Sequence, residues 1–577
     1  MRVPYTATLQ TGEHEWLTFR EPQLVLQADT PGAVRRTLAD VEQLTRDRGL
    51  HAVGFLAYEA GAAFGLPIAG EPVDVPFAWF ALFDPTSVTV AGRPMATGEY
   101  TLGALLPSRS RDEFEQAFSR IKAHIASGDT YQVNYTFRLH APFSGDPAAL
   151  FADLVAAQRG SYSAYLDLGD VAVCSASPEL FFEIDGAEVR ARPMKGTAKR
   201  GMTFAEDEQA GRALAASAKN RSENVMIVDM VRNDLGRVAD VGTVEVSDLC
   251  AVARFPNVWQ MTSSVRARSL APLDALLAAL HPSASVTGAP KVRTMALIAE
   301  LEREPRGIYT GAIGHIPPNG HARFNVAIRT AVVDRRAGAL SFGVGSGIVW
   351  ESDAHSEYEE CLVKGAVLGR RPVAFELLET LRWEPGSGYW LLDGHLSRLR
   401  DSAQYFGVPC RIDEARRALD AAIAGAQVPQ RARLLVAADG TIRTEVRAHE
   451  PWAEPVRLVL APEPIDASDV FLYHKTTNRA VYAHARALAP GADDVVLWNA
   501  RGEITEATMA NIVVEREGQR VTPPIRCGLL AGTCRADLLA RGEVVEGIVS
   551  VEDLRTASRM WIANAVQGLR EAVLVGP

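Results

Sequence analysis

A mixed α/β (α+β) fold in two modules is predicted by three features of the sequence. Leu180-Phe181-Phe182 opens a short apolar strand, Asp185-Gly186 supplies a turn, and Val189 and Ala191 then alternate with Arg190 and Arg192, the mark of a β-hairpin. Phe114, Phe118, Ile121 and Ile125 recur at helical spacing instead, and Gly128-Asp129 closes that segment. Near residues 369–372 the pattern begins afresh, which predicts modules at 1–368 and 369–577.

The composition fits such a fold. A chain of 577 residues has room for about three or four ordinary domains. Its 47% hydrophobic and 23% charged residues suit a globular protein with sizeable cores. A net charge of −10 argues against nucleic acid as a partner. The opening MRVPYTATLQTGEHEW holds no signal-like apolar stretch, and no later run is long enough to span a bilayer. The six cysteines form no CxxC pair, as expected of reduced thiols in a cytoplasmic protein.

The elements follow in order. A helix is expected near Pro31–Arg48, then buried strands in HAVGFLAYEAGAAF and FAWFALF. After the helix at 111–127, TYQVNYTFRLH alternates as a strand. Residues 175–200 read as strand, hairpin, strand and a glycine turn at Gly196. Residues 207–237 read as one or two helices with Val225, Met226, Val228 and Met230 inward. Gly-Ala-Pro-Lys opens a further helix, and EPRGIYTGAIGHI and FNVAIRT read as adjacent strands. His281 is expected to do no more than pack.

The chemistry-bearing residues fall at the joints of this layout. Across the hairpin sheet, Glu179 and Lys195 can approach one another. A lone strand-end lysine is ordinarily solvated. Here the Gly196-Thr197 step also offers backbone N–H groups to an anion. In FGVGSGIVWESDAHSEYEECLVKG, three glycines give close access to the backbone, and a helix starts near Ser356. Glu357, Glu360 and Lys364 then share one helix face, either as a solvated ion pair or as carboxylates completed by Glu223. An oxygen-only donor set favours Mg²⁺ over zinc.

SPELF, PMKGT, IVDMVRNDLGRV, TGAPKVRTM and FNVAIRT, in that order, resemble the chorismate-utilising enzymes. Within that family Lys195 is similar to the aminodeoxychorismate synthase branch, whereas anthranilate synthases usually carry alanine there. The resemblance implies a first module of large antiparallel sheets flanked by helices, with chorismate as substrate. It implies Mg²⁺ on Glu223 and Glu360 with Glu357 beside them, although Asn220 stands where relatives often have another acid. Tyr309, Arg329, Gly345, Ser346 and Gly347 would hold the substrate, with Gly196, Thr197, Thr287 and Lys364 completing the pocket. Glu179 would protonate the departing C4 hydroxyl, Lys195 would attack C2, and ammonia would enter at C4. No cysteine lies on the Gly-x-Cys-x-Gly turn of a glutaminase, so ammonia is expected from a separate glutamine amidotransferase.

The second half carries ETLR, LYHKTTNRAVYAHARA, GEITEATMANIVV and RCGLLAGTCRADLL. Together these resemble the fold-type IV pyridoxal 5'-phosphate enzymes: branched-chain and D-amino-acid aminotransferases and aminodeoxychorismate lyase. The resemblance implies two subdomains and allows a homodimer through this module. Lys475 would join the cofactor, Glu506 would meet its pyridinium nitrogen, and Arg398, Gly532 and Thr533 would hold its phosphate. Thr380 would assist proton transfer. The expected sequence of reactions runs from chorismate to 4-amino-4-deoxychorismate, then to pyruvate and p-aminobenzoate. An aminotransferase, a non-catalytic docking module and an anthranilate synthase remain as alternatives.

Overall fold

In a computed structural model, residues 5–12, 15–72, 75–95, 97–158, 160–369, 371 and 373–575 are described. Arg370 and Pro372, at the expected module boundary, lie outside these residues. The chain forms two compact units, one of Met1–Lys199 with Ala210–Pro372, the other of Arg200–Gln209 with Val373–Pro577.

The first unit is built on an eleven-stranded and a ten-stranded sheet, as expected of large antiparallel sheets with helices. Leu9, Phe19 and Val173 from one sheet pack on Val53, Phe55, Trp79 and Ile313 from the other. Each outer face is covered by helices whose apolar stripes complete a core. Pro31–Arg48, Ala218–Gly236 and Leu273–Leu280 cover the ten-stranded sheet. Arg111–Ala126, Pro147–Gln158 and Ala354–Gly365 cover the other. Ser110 and Glu113 form the capping box that starts Arg111–Ala126.

Two expectations need correction. Only His51–Leu56 of HAVGFLAYEAGAAF is a strand, and Tyr58–Phe64 is a 3₁₀ helix. The chain turns there because the buried Glu59 carboxylate accepts the backbone N–H groups of Arg306 and Gly307. In Ala218–Gly236 the buried stripe is Asn224, Ile227, Val228, Val231 and Leu235, while Val225 is exposed and Met226 and Met230 are half-buried. The continuous apolar run at 225–228 left the helix face ambiguous. The 3.6-residue period, with Asn224 bonded inward to the Lys195 carbonyl, decides it.

Near Lys195 the ladder is irregular. Met194–Lys199 pairs with Val258–Arg268, and the register shifts between Met194 and Thr197. Gly196, at φ +101°, supplies the left-handed residue this kink needs. The long strand Gln132–Gly145 runs antiparallel to Ala339–Ile348, which sets Gly345, Ser346 and Gly347 opposite Thr136, Tyr135 and Asn134.

The second unit has two sheets with separate cores, in line with two subdomains. Leu377–Glu384 lies in a four-stranded antiparallel sheet backed by helices Leu392–Phe406 and Ile412–Ala422. In the eight-stranded sheet, Val456–Leu460 runs parallel to both Asp494–Trp498 and Gly568–Leu574. Among the described residues no helix is long and apolar enough to cross a membrane.

Candidate active sites

In the first unit, the kinked strand turns Lys195 inward. A Cβ at position 347 would collide with the Lys195 Nζ, so glycine there is what lets the amine reach the Ala339–Ile348 backbone. Burial lowers the Lys195 pKa, and Lys364 adds to this, while Glu223, Glu360 and Glu357 pull it back up. Glu179 is 3% exposed, and its Oε1 has no hydrogen-bond partner among the described residues. Burial raises its carboxyl to about 7 against the opposing Ser285 hydroxyl, Met194 N–H and Lys195 charge. Gln132 presents both amide atoms buried without partners among the described residues. Such a set of unmet polar atoms costs stability unless a ligand answers it.

Around this centre stand the residues expected to hold substrate. Arg329, at φ +51°, donates to the Lys364 carbonyl, and Lys364 donates to the Gly345 carbonyl at 2.8 Å. The buried Tyr309 ring lies where a Cβ on Gly343 would stand, and burial raises its hydroxyl to about 12. Thr287 is buried, with its hydroxyl donated to the Ser283 carbonyl. The expectation at Thr197 concerns its backbone N–H; its side chain is exposed and donates to Gln260.

The expected carboxylate cluster is not assembled. Among the described residues no group of three or more His, Cys, Asp and Glu side chains is placed to hold a metal. Glu360 pairs with Lys364 at 2.6 Å, and Glu223 faces Lys195 at 4.0 Å. Burial, with Glu357 and Glu351, pushes the Glu223 carboxyl up against the pull of Lys195 and Lys219. Glu223 and Glu360 are oxygen donors of the kind a hard divalent cation takes, each answered here by a lysine ammonium group.

In the second unit, Lys475 follows the 3₁₀ turn Val470–Leu472 and precedes helix Ala480–Leu488. Burial lowers its amine to about 8, with Arg398 and Arg479 adding to the effect and Glu379 and Glu506 opposing it. Glu506, on strand Ile504–Ala507, is pushed by burial to about 7 and accepts from the Tyr482 hydroxyl and the Leu530 N–H. A protonated ring nitrogen would restore that carboxylate, so the pair fits the pyridine of the expected cofactor. Gly532 caps helix Thr533–Ala540, and a Cβ there would strike Asn511 Oδ1.

Arg398 holds both oxygens of Glu379, at 2.9 and 2.7 Å, and donates to the Ala531 carbonyl beside Gly532. Glu379 also meets His395 at 2.6 Å, and His395 reaches Thr533 on its other ring nitrogen. Burial alone would raise Glu379, but Arg398 and His395 outweigh it and hold the carboxyl near about 2. Sequence reasoning missed Glu379, His395 and Tyr482. A charged residue inside the apolar run FELLETL was the available signal for the first. Thr380 follows Glu379 on its strand and so points to the opposite face, away from the side that meets Arg398 and His395.

Comparison with known proteins gives these sites a family. Residues 5–370 match the family described as chorismate binding enzyme, and residues 376–575 match amino-transferase class IV. Aminodeoxychorismate synthase component 1 of Escherichia coli (strain K12) is 41% identical over 257 residues, 44% of this chain and 56% of that protein. Anthranilate synthase component 1 of Streptomyces coelicolor is 39% identical over 290 residues, 49% of this chain and 56% of that protein. The chain thus spans about half the length of these relatives. The solved anthranilate synthase component I of Streptococcus pneumoniae TIGR4 shares the fold, with TM-score 0.51 and 23% identity over 64% of this chain and 93% of that one. This chain belongs to the chorismate binding enzyme family and carries an amino-transferase class IV domain behind it.

Proposed function

We propose that the chain converts chorismate and ammonia to 4-amino-4-deoxychorismate in a module at 1–368, then releases pyruvate to give p-aminobenzoate in a module at 369–577. The observation that supports this reading is the buried Glu179 carboxyl, one oxygen of which has no partner among the described residues, beside the half-buried Lys195 on its kinked strand. Glu179 holds the proton that the departing C4 hydroxyl takes. Lys195, whose amine burial shifts toward the neutral form, bonds to C2 as that hydroxyl leaves, and is expelled when ammonia bonds to C4. Arg329, Lys364 and the Gly345–Gly347 backbone bind the substrate carboxylates, with the Tyr309 hydroxyl beside them. Mg²⁺, held by Glu223 and Glu360 with Glu357 near, would neutralise one carboxylate.

In the second module, Arg398, Gly532 and Thr533 would hold the cofactor phosphate, and Glu506 the ring nitrogen. Pyridoxal phosphate, when bound, supplies an electron sink for loss of the C4 proton. Lys475, with its amine near about 8, takes up that proton. Relatives named "component 1" support a separate glutamine amidotransferase as ammonia source. A cytoplasmic location and a homodimer through the second module complete the proposal.

The test supplies the purified chain with chorismate, ammonium salt, Mg²⁺ and pyridoxal phosphate. p-Aminobenzoate with one pyruvate each supports both steps. Anthranilate overturns the first, and accumulated aminodeoxychorismate without pyruvate overturns the second. The description of the second family favours an aminotransferase as the rival reading, which predicts cofactor-dependent exchange of an amino acid's nitrogen onto a keto acid.

A further inference from the structure

The second unit is built from two stretches of chain, and the shorter one, Arg200–Gln209, lies inside the region matched to the chorismate binding family. Its contacts converge on the residue just before Lys475. Arg200 pairs with Asp207, donates to the Tyr405 carbonyl at 2.8 Å and lies over the Tyr405 ring, 4.2 Å from its centroid. The Tyr405 hydroxyl returns a bond of 2.8 Å to the Gly201 carbonyl. One residue on, the Met202 carbonyl meets His474 Nε2 at 3.2 Å. That carbonyl can only accept, so Nε2 carries the proton and Nδ1 accepts from the Ser402 hydroxyl at 3.0 Å. The His474 ring lies against Tyr405 and Phe406, with centroids 4.3 and 4.9 Å apart.

These contacts fix an imidazole whose backbone continues into Lys475. The Lys475 carbonyl is bonded in turn to the Leu378 N–H at 3.0 Å, in the strand that carries Glu379. Thr203 and Glu206 form a reciprocal cap that stiffens the stretch, with Glu206 also accepting the Met202 N–H. Met202 packs on the cluster of Leu472, Tyr473 and Tyr482, the last of which bonds Glu506. The short stretch thus touches the neighbours of both proposed cofactor-binding groups.

We propose that Arg200–Gln209 is a positioning element of the Lys475 site, holding His474 in one tautomer and orientation so that Lys475 meets the cofactor in a single pose. The proposal rests on the reading of Lys475 as the cofactor lysine. It assigns Arg200, Met202 and Tyr405 a role that neither family match gives them.

The test compares full-length wild type with Arg200→Ala, Arg200→Lys and Tyr405→Phe. Cofactor uptake is followed by the visible absorbance of bound pyridoxal phosphate and its pH dependence. Hydrogen exchange across residues 471–478 is followed in the cofactor-free chain. Arg200→Ala is expected to raise the half-saturating cofactor concentration by about tenfold, the loss of one charge-assisted hydrogen bond. It should also speed exchange at 471–478 while leaving residues 180–192 unchanged. Arg200→Lys keeps the charge facing Asp207 and should restore part of the loss. Tyr405→Phe removes a single hydroxyl, so it serves even if Arg200→Ala fails to fold. Wild-type uptake and wild-type exchange in a folded variant overturn the proposal. If the wild type takes up no cofactor, the reading of Lys475 falls. Exchange alone then decides the positioning role: faster at 471–478 upholds it, and unchanged overturns it.

Discussion

Lys195 and Lys475 are both half-buried amines with lowered pKa values, but the largest charge effect on each differs in sign. Beside Lys195 the largest charge effect comes from Glu223, with Glu360 and Glu357 acting in the same direction. Beside Lys475 it comes from Arg398, with Arg479 also repelling a proton. Carboxylates around an amine favour its charged form, and guanidinium groups disfavour it. The strongest charge acting on the second lysine thus favours its neutral form, although Glu379 and Glu506 oppose it. Full release of the first depends on something that answers the carboxylates, the part given to Mg²⁺ in the proposed function.

The largest effects should come from removing each lysine in turn. Lys195→Ala should cut amination of chorismate by roughly a thousandfold or more, yet leave added aminodeoxychorismate converted to p-aminobenzoate. Lys475→Ala should do the reverse, with aminodeoxychorismate accumulating and pyruvate absent. Product analysis of both variants reads the split. Loss of both steps in either variant would break the comparison at its root.

Chelating Mg²⁺ sharpens it next. The first step should fall by about a hundredfold, since one cation both neutralises substrate charge and masks the carboxylates. Conversion of added aminodeoxychorismate should not change, because the Lys475 surroundings ask for no cation. Equal loss in the two steps under chelation would show that the difference in neighbours has no chemical consequence.

Proton position gives the third contrast. In the proposed first step Glu179 acts as an acid, and burial puts its carboxyl at about 7, so that step should fall as pH rises through about 7 when free ammonia is held constant. Glu179→Gln should lose about a hundredfold and that descending limb with it. Lys475 must be neutral to react, so cofactor uptake should climb as pH rises through about 8. Initial rates across pH 6–9 (about three units, enough to span both midpoints) check the opposite slopes.

Much of this was legible in the sequence where one local rule governs. Pro31–Arg48, the Asp185-Gly186 hairpin and helix Arg111–Ala126 follow from periodicity, turn residues and capping. The motif residues around Lys195 and Lys475 could be named from their order along the chain. What sequence did not carry was direction. The run at 225–228 gives no face, Thr380 and Glu379 differ by one strand position, and the glycine turn at Gly196 marks a kink without fixing the register shift beside Thr197. Partnerships between distant segments were equally hidden: Glu379 with His395 and Arg398, or Met202 with His474, join residues whose pairing only the fold decides.

The smallest predicted effect tests whether the Lys475 site is tuned by its own side chains. The Tyr482 hydroxyl donates to Glu506 Oε1 at 2.8 Å and lowers a carboxyl that burial alone would raise further. Tyr482→Phe keeps the ring and its packing but removes that donor, so Glu506 should become harder to ionise and a worse partner for a ring nitrogen. A lost hydrogen bond to a charged group is worth about 1.5–3 kcal/mol. Partial compensation by the Leu530 N–H places the expected loss at the lower end, about tenfold in cofactor affinity and in the second step. The loss should ease as pH rises through about 7, where the remaining wild-type Glu506 population ionises and the variant follows at higher pH. Cofactor titrations of both proteins at several pH values check this, with chorismate amination measured alongside and expected unchanged. A variant that binds cofactor as tightly as wild type at every pH would mean that Glu506 is ionised by the cofactor alone.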